Sequence, residues 1–160
     1  MTATPIAATV RYFRPEKTKV YWLPAVANPT SPTRPELDAG TDLSDEVSDI
    51  SGWSVTSDTV DTPDLGSRFV GKIPSTISAD DSSLTFYADS SGQDVRGLLT
   101  RNQSGFIVWL DEGDTGDYYM DVFPVRVSSV PKVRDMSNAA TITVNFTVTR
   151  EPSENVTIPA

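Results

Sequence analysis

Strand signals run through most of this chain and helix signals are almost absent, which points to a fold of antiparallel strands. Residues 141–149 read Thr-Ile-Thr-Val-Asn-Phe-Thr-Val-Thr, which puts Ile142, Val144, Phe146 and Val148 on one face and polar residues on the other. Residues 118–130 are similarly rich in β-formers, with Phe123, Val125 and Val127 on one face, and Pro124 within them implies an edge position or a bulge. Residues 106–110 are apolar throughout, as a strand covered on both sides requires. The Gly- and Asp-rich run at 111–117 suits a hairpin connection between these two strands. Residues 19–23 and 82–87 are further strands, and 54–60 and 69–73 weaker ones. One short helix is expected near 91–99, with Ser91 as cap, Asp94 three residues on, and Val95, Leu98 and Leu99 sharing a face that Gly97 weakens. Residues 24–40, with Pro24, Pro29, Pro32, Pro35 and Gly40, predict a loop without regular structure. The expected fold is mainly β: an antiparallel β-sandwich or partly open barrel with one short flanking α-helix and long loops.

At 160 residues and 38% hydrophobic content, the chain suffices for one core, so residues 1–160 are expected as a single domain. Within it we expect an N-terminal arm at 1–16, a long Pro/Asp-rich loop at 24–50 and a C-terminal arm at 150–160, since connections this long usually carry function or become ordered by a partner. Cysteine and histidine are both absent, which removes disulfides, thiol chemistry, the commonest zinc ligand and any imidazole-dependent triad. The N-terminus has no basic residue before Arg11 and no apolar run of signal-peptide length, and no stretch approaches the roughly 20 apolar residues of a membrane span. A soluble protein that starts in the cytoplasm is expected, and the sequons at Asn102, Asn145 and Asn155 read as chance.

The net charge of −9 is concentrated. Between Arg34 and Arg68 lie Asp38, Asp42, Asp45, Glu46, Asp49, Asp58, Asp61 and Asp64, with no Lys or Arg among them. Such a segment argues against tight binding to phosphates, which needs clustered bases. Its plain reading is a solvated loop, and its sharper one is a wall that stays anionic so that a polyanion can slide past. Asp111, Asp114 and Asp117 could in principle hold Ca²⁺, but they lack the alternating ligands and distant Glu of an EF-hand, and a plain exposed hairpin is the better reading. Pairs such as Asp45 with Glu46, or Asp80 with Asp81, could serve glycoside hydrolysis, although so many acids create such pairs by chance. No glycine pattern forms a nucleotide-binding loop. No catalytic, metal or cofactor site is therefore expected, and the chain reads as a non-enzyme. Trp109, inside an apolar strand, reads as core. Trp53 reads first as core too, but it follows Ser51-Gly52 at the end of the acidic segment, where it could instead anchor a loop on this subunit or on a neighbour.

Several stretches, in this order, resemble the major tail tube proteins of long-tailed phages of actinobacteria. They are Gly40-Thr41-Asp42-Leu43-Ser44, Ile50-Ser51-Gly52-Trp53, Gly66-Ser67-Arg68-Phe69-Val70-Gly71-Lys72-Ile73-Pro74 and Ser83-Leu84-Thr85-Phe86-Tyr87-Ala88-Asp89. Gly105-Phe106-Ile107-Val108, Asp121-Val122-Phe123-Pro124-Val125-Arg126-Val127 and Phe146-Thr147-Val148-Thr149-Arg150-Glu151-Pro152 follow. The resemblance implies a sandwich with a flanking helix, packed as hexameric rings that stack into a hollow tube in the virion tail. It also implies contacts with tape measure, tail terminator and tail-tip proteins, and double-stranded DNA passing through without specific binding. On that reading, acids between 38 and 64, or at 111–117, face the lumen. The alternative is a carbohydrate-binding or adhesin-type sandwich on the virion, with Trp53 and Tyr21 stacking on sugar.

Overall fold

A computed structural model describes residues 2–160 and contains eleven strands in chain order. They are β1 (Lys19–Leu23), β2 (Thr41–Asp42), β3 (Val47–Ser51), β4 (Val55–Thr62), β5 (Gly71–Ala79), β6 (Ser82–Tyr87), β7 (Ser104–Leu110), β8 (Tyr119–Ser129), β9 (Lys132–Val133), β10 (Thr141–Val148) and β11 (Ser153–Thr157). Nine form one sheet whose main path runs β2-β1-β7-β8-β10-β6-β3, with β11 added on β8 and β9 on β10. Strands β4 and β5 pair only with each other. All pairings are antiparallel. Val20 and Trp22 of β1 share a buried cluster with Leu84 and Phe86 of β6 and Val144 and Phe146 of β10, so the long sheet folds over on itself. The result is an open sandwich and not a closed barrel, as its alternating strands predict.

Strand β7 divides the interior. Its Ile107 and Trp109 enter the cluster between the two halves of the sheet. Phe106, Val108 and Leu110 enter a second cluster on the outer side with Leu23, Met120, Val122, Val156 and Ile158. Leu37 joins that outer cluster from the short helix α1 (Arg34–Asp38). A strand buried on both faces has to be apolar at every position, and from Phe106 to Leu110 this one is. Close packing fixes small residues too. A Cβ on Gly105 would lie 2.4 Å from the Trp22 ring, so only glycine lets β7 approach β1 there.

Four local expectations are corrected. The helix expected at 91–99 is a single 3-10 turn, Val95–Gly97. Its cap is Asp94 and not Ser91, because the Asp94 carboxylate accepts from the Arg96 backbone (3.1 Å) and its guanidinium (2.6 Å), ending the turn as Leu99 plunges into the core. The α-helix lies instead at Arg34–Asp38, within the stretch expected to lack regular structure. There the Glu36 carboxylate accepts from the Thr33 backbone N–H (2.7 Å) and hydroxyl (2.8 Å), half of a capping box, and Pro35 falls in the first turn, where its missing N–H costs nothing. Pro124 sits in a central strand. It lies where the second neighbour of β8 changes from β11 to β10, so no continuous ladder needs its N–H. The segment expected as a C-terminal arm folds onto its own subunit as β11, with Ile158 fully buried.

Candidate assembly surfaces

The chain leaves the sandwich at Gly52 and Trp53, both at positive φ (81° and 66°). A Cβ at Gly52 would stand 2.4 Å from the Asp81 carbonyl oxygen, so glycine is required. Trp53 then fixes the exit. Its backbone N–H donates to Ser82 Oγ (3.0 Å) and its indole N–H to the Ser83 carbonyl (3.1 Å). Its ring packs against Trp109, Phe123 and Phe146 at centroid distances of 5.7, 5.3 and 5.4 Å. The Ser82 hydroxyl donates in turn to the Asp80 carbonyl (3.0 Å), and the Asp80 backbone donates to the Ser54 carbonyl (3.1 Å). Trp53 thus anchors this loop on its own subunit. Tyr21 is also committed internally, its hydroxyl donating to Asp114 (3.0 Å).

Beyond this anchor, β4 and β5 form a ribbon that leaves the sandwich behind. β4 is rich in Thr and Val, with Asp58 and Asp61 among them, and the turn closes with the Asp64 carboxylate accepting from Gly66 N–H (2.8 Å). Val60 lies opposite Ile73, and Asp61 opposite Lys72 with an ion pair at 3.2 Å. Val55 at the base packs against the core, but beyond it no described residue buries either face. Val60, Ile73 and Ile77 are 49, 53 and 60% exposed, and the tip carries Leu65, Phe69 and Val70 into solvent. An isolated two-stranded hairpin is marginal in water, and an apolar one invites a partner.

The expected acids fall into two groups. Several are engaged within the subunit: Asp38 with Arg34 (2.7 Å), Asp42 with Lys19 (3.4 Å), and Asp111 with Arg14. Asp114 is the most firmly held, taking both Arg34 guanidinium nitrogens (2.6 and 2.7 Å). That pairing first, and the Tyr21 hydroxyl after it, outweigh burial and hold its carboxyl below the usual range, while burial and then Asp114 push the Tyr21 phenol up to about 12. The three hairpin acids Asp111, Asp114 and Asp117 therefore do not converge. Asp45, Glu46 and Asp49 lie exposed along the 3-10 turn Ser44–Glu46 and the edge strand β3, Asp45 at 4.0 Å from Lys19, while Asp58, Asp61 and Asp64 lie on the exposed ribbon and Asp117 on the surface.

A groove runs along the open edge of the sandwich. Val47 and Ile50 of β3 face Lys19 and Val20 of β1 across it, and Trp109 forms its floor. It continues into a hollow of about 350 Å³ beside Asp111, Asp121 and Phe123, with Arg14 common to both parts. The buried Trp109 indole N–H has no acceptor. Asp121 accepts only the Asn155 backbone N–H (2.8 Å), and burial raises its carboxyl above the ordinary value. No ion pair among the described residues reaches Asp121. Residues 14, 50, 109 and 121 are far apart in sequence, so no local signal marks this groove in advance. Residues 2–13 precede it as an exposed arm without regular structure.

An open antiparallel sandwich with an unsheltered hairpin and a free arm is the form of a subunit built to meet others. The sequence model of the phage tail tube protein family matches residues 6–160, and the chain belongs to that family. Among solved structures it is similar in fold to a chain of the anti-feeding prophage baseplate described as 6-fold symmetrised, with TM-score 0.56, 12% identity, and coverage of 94% of this chain and 95% of that one. A second similar structure is the Dit hub protein of phage SPP1, with TM-score 0.39, 17% identity, and coverage of 81% of this chain and 48% of that one. No curated protein sequence matches the chain.

Proposed function

We propose that this chain is the repeating subunit of the tail tube of a long-tailed phage of actinobacteria, a structural protein that performs no catalysis. Copies close into hexameric rings in the host cytoplasm, and the rings stack into the conduit through which the genome leaves the virion. The observation that carries this reading is the β4–β5 ribbon, whose two faces and tip expose Val60, Leu65, Phe69, Val70, Ile73 and Ile77. Closed rotational contacts and stacking contacts each need a separate adhesive surface, and a ribbon projecting from a rigid sandwich can bridge from one subunit to the next. Tape measure, terminator and tail-tip proteins would meet the same tube at its interior and ends.

The acids fit an anionic lumen if the unpaired ones line it. Asp49, Asp58, Asp64 and Asp117 are free of ion pairs among the described residues, whereas Asp114 is neutralised by Arg34. We therefore assign lumen-facing charge to the ribbon and the β3 edge before the 111–117 hairpin. Phosphate then meets mainly unpaired acids, with the ribbon's Lys72 already taken up by Asp61. Electron microscopy of the purified protein over a concentration series tests the reading. Hollow filaments or rings of uniform width are expected, and a strict monomer with glycan binding would overturn it.

A further inference from the structure

Charge is sorted along β7. The strand ends at Leu110 and runs straight into Asp111, Glu112, Asp114 and Asp117, whereas its start at Ser104 lies opposite Arg126 of β8. Residues 95–110 and 122–134 contain no Asp or Glu, yet they hold Arg96, Arg101, Arg126, Lys132 and Arg134, five of the chain's 13 lysines and arginines. The fold draws these cations together. Asn102 N–H donates to the Val127 carbonyl (2.8 Å) and Val127 N–H to the Gln103 carbonyl (2.8 Å), which ties the loop before β7 to β8. The Arg126 guanidinium donates to the Asn102 carbonyl (3.1 Å) in the same place, and Lys132 and Arg134 follow just beyond the end of β8. Although the chain has 22 acids, Arg101, Arg126, Lys132 and Arg134 are exposed and form no ion pair among the described residues. Arg96 is held by Asp94, and Asp135 is spent on its own loop, accepting from Ser137 N–H (2.9 Å) and the Asn138 side chain.

A cleft of about 550 Å³ opens among these cations, where Arg96 and Arg101 line it together with Leu99, Val130 and Pro131. Like charges gathered at one end of a subunit repel, and an anionic partner relieves that repulsion. The lining narrows the kind of anion. A bare phosphodiester would neutralise the cations but leave half-buried Val130 and exposed Pro131 uncovered, whereas a peptide can bring carboxylates and an apolar side chain at once. We infer that this cleft docks an acidic segment of another protein, with an apolar side chain seated against Val130 and Pro131 and its carboxylates among the four unpaired cations. The charges steer the approach, and the apolar seat sets how long the segment stays. Copies of this chain carry their unpaired acids on the surfaces assigned above to the lumen, so the segment comes from a different protein; that step rests on the tube reading.

The test is fluorescence anisotropy of the full-length protein with two short labelled peptides, one of repeated Glu-Glu-Leu and one of repeated Glu-Glu-Ser. The Leu peptide should bind, more weakly as salt is added, and the Ser peptide several-fold less tightly. Arg101→Glu with Lys132→Glu should weaken the Leu peptide about tenfold. Arg68→Glu with Arg150→Glu makes the same change of net charge at exposed positions outside the cleft and should leave binding unchanged. Equal binding of the two peptides overturns the inference, as do equal losses in the two double variants or tighter binding of a short DNA duplex. The same proteins are imaged. Tubes formed by the wild type and lost in Arg101→Glu with Lys132→Glu would make the cleft a contact between copies, which overturns the inference and leaves the tube reading standing. Peptide binding by a wild type that forms no tubes upholds the cleft and counts against the tube reading.

Discussion

Strands β10 and β4 are written in nearly the same alphabet and end in opposite surroundings. β10 reads Thr-Ile-Thr-Val-Asn-Phe-Thr-Val and buries Ile142, Val144 and Phe146 almost completely. β4 reads Val-Thr-Ser-Asp-Thr-Val-Asp-Thr and, beyond Val55, stays exposed. Alternation dictates that a segment is extended and which residues share a face, but it does not say whether that face is covered within the same chain. The sandwich covers its strands internally, whereas the ribbon's apolar side chains stay exposed on the subunit.

Variants can break this contrast or sharpen it. The largest effect is expected at the joint between the two regions: Trp53→Ala removes the ring packed on Trp109, Phe123 and Phe146 and should lower stability by about 3–5 kcal/mol in urea unfolding. A loss near zero would mean that the joint is not held by the core. Next comes Asp114→Asn, expected to cost about 2 kcal/mol by leaving Arg34 and Tyr21 without their charged acceptor. Because Asp114 has a lowered folded value, its contribution is complete above the usual carboxylate range near about pH 4 and is lost as the pH falls through that folded value. The urea midpoint of the wild type should therefore drop between about pH 5 and pH 2, and the Asn variant should drop less. Ser82→Ala removes the acceptor of the Trp53 N–H and should cost about 1 kcal/mol in the same assay. Smallest of all, Val60→Ser with Ile73→Ser should shift monomer stability by no more than about 0.5 kcal/mol while abolishing filaments in electron micrographs. If that double change instead unfolds the subunit, the ribbon is part of the sandwich's own stability and the comparison fails.

Much of the sandwich was legible in the sequence because its strands carry their own evidence. β7 had to be covered on both faces since it offers no polar side, and the face shared by Phe123, Val125 and Val127 is the one that meets the inner core. Local signals failed where two of them compete. Prolines around Thr33 conceal a capping signature, Thr33 followed by Glu36, that opens α1. Asp94 spends its carboxylate on Arg96, and Gly97 follows, so the apolar residues after it pack without a helix. The acidic segment was legible only as charge. Its division between ion-paired Asp38, Asp42 and Asp61 and unpaired Asp49, Asp58 and Asp64 depends on Arg34, Lys19 and Lys72, of which only Arg34 lies close in sequence to its acid.

Strand β7 belongs to two buried clusters at once, and this shapes how a subunit would respond to load. Pulling it out of register would open the inner and the outer compartment in the same step, so neither half of the subunit can loosen first. Its amides should be among the slowest to exchange with heavy water, and the subunit should yield under tension as one unit while the ribbon and arm flex around it. In the proposed tube, bending would then fall to the joints between copies and leave each copy's shape intact.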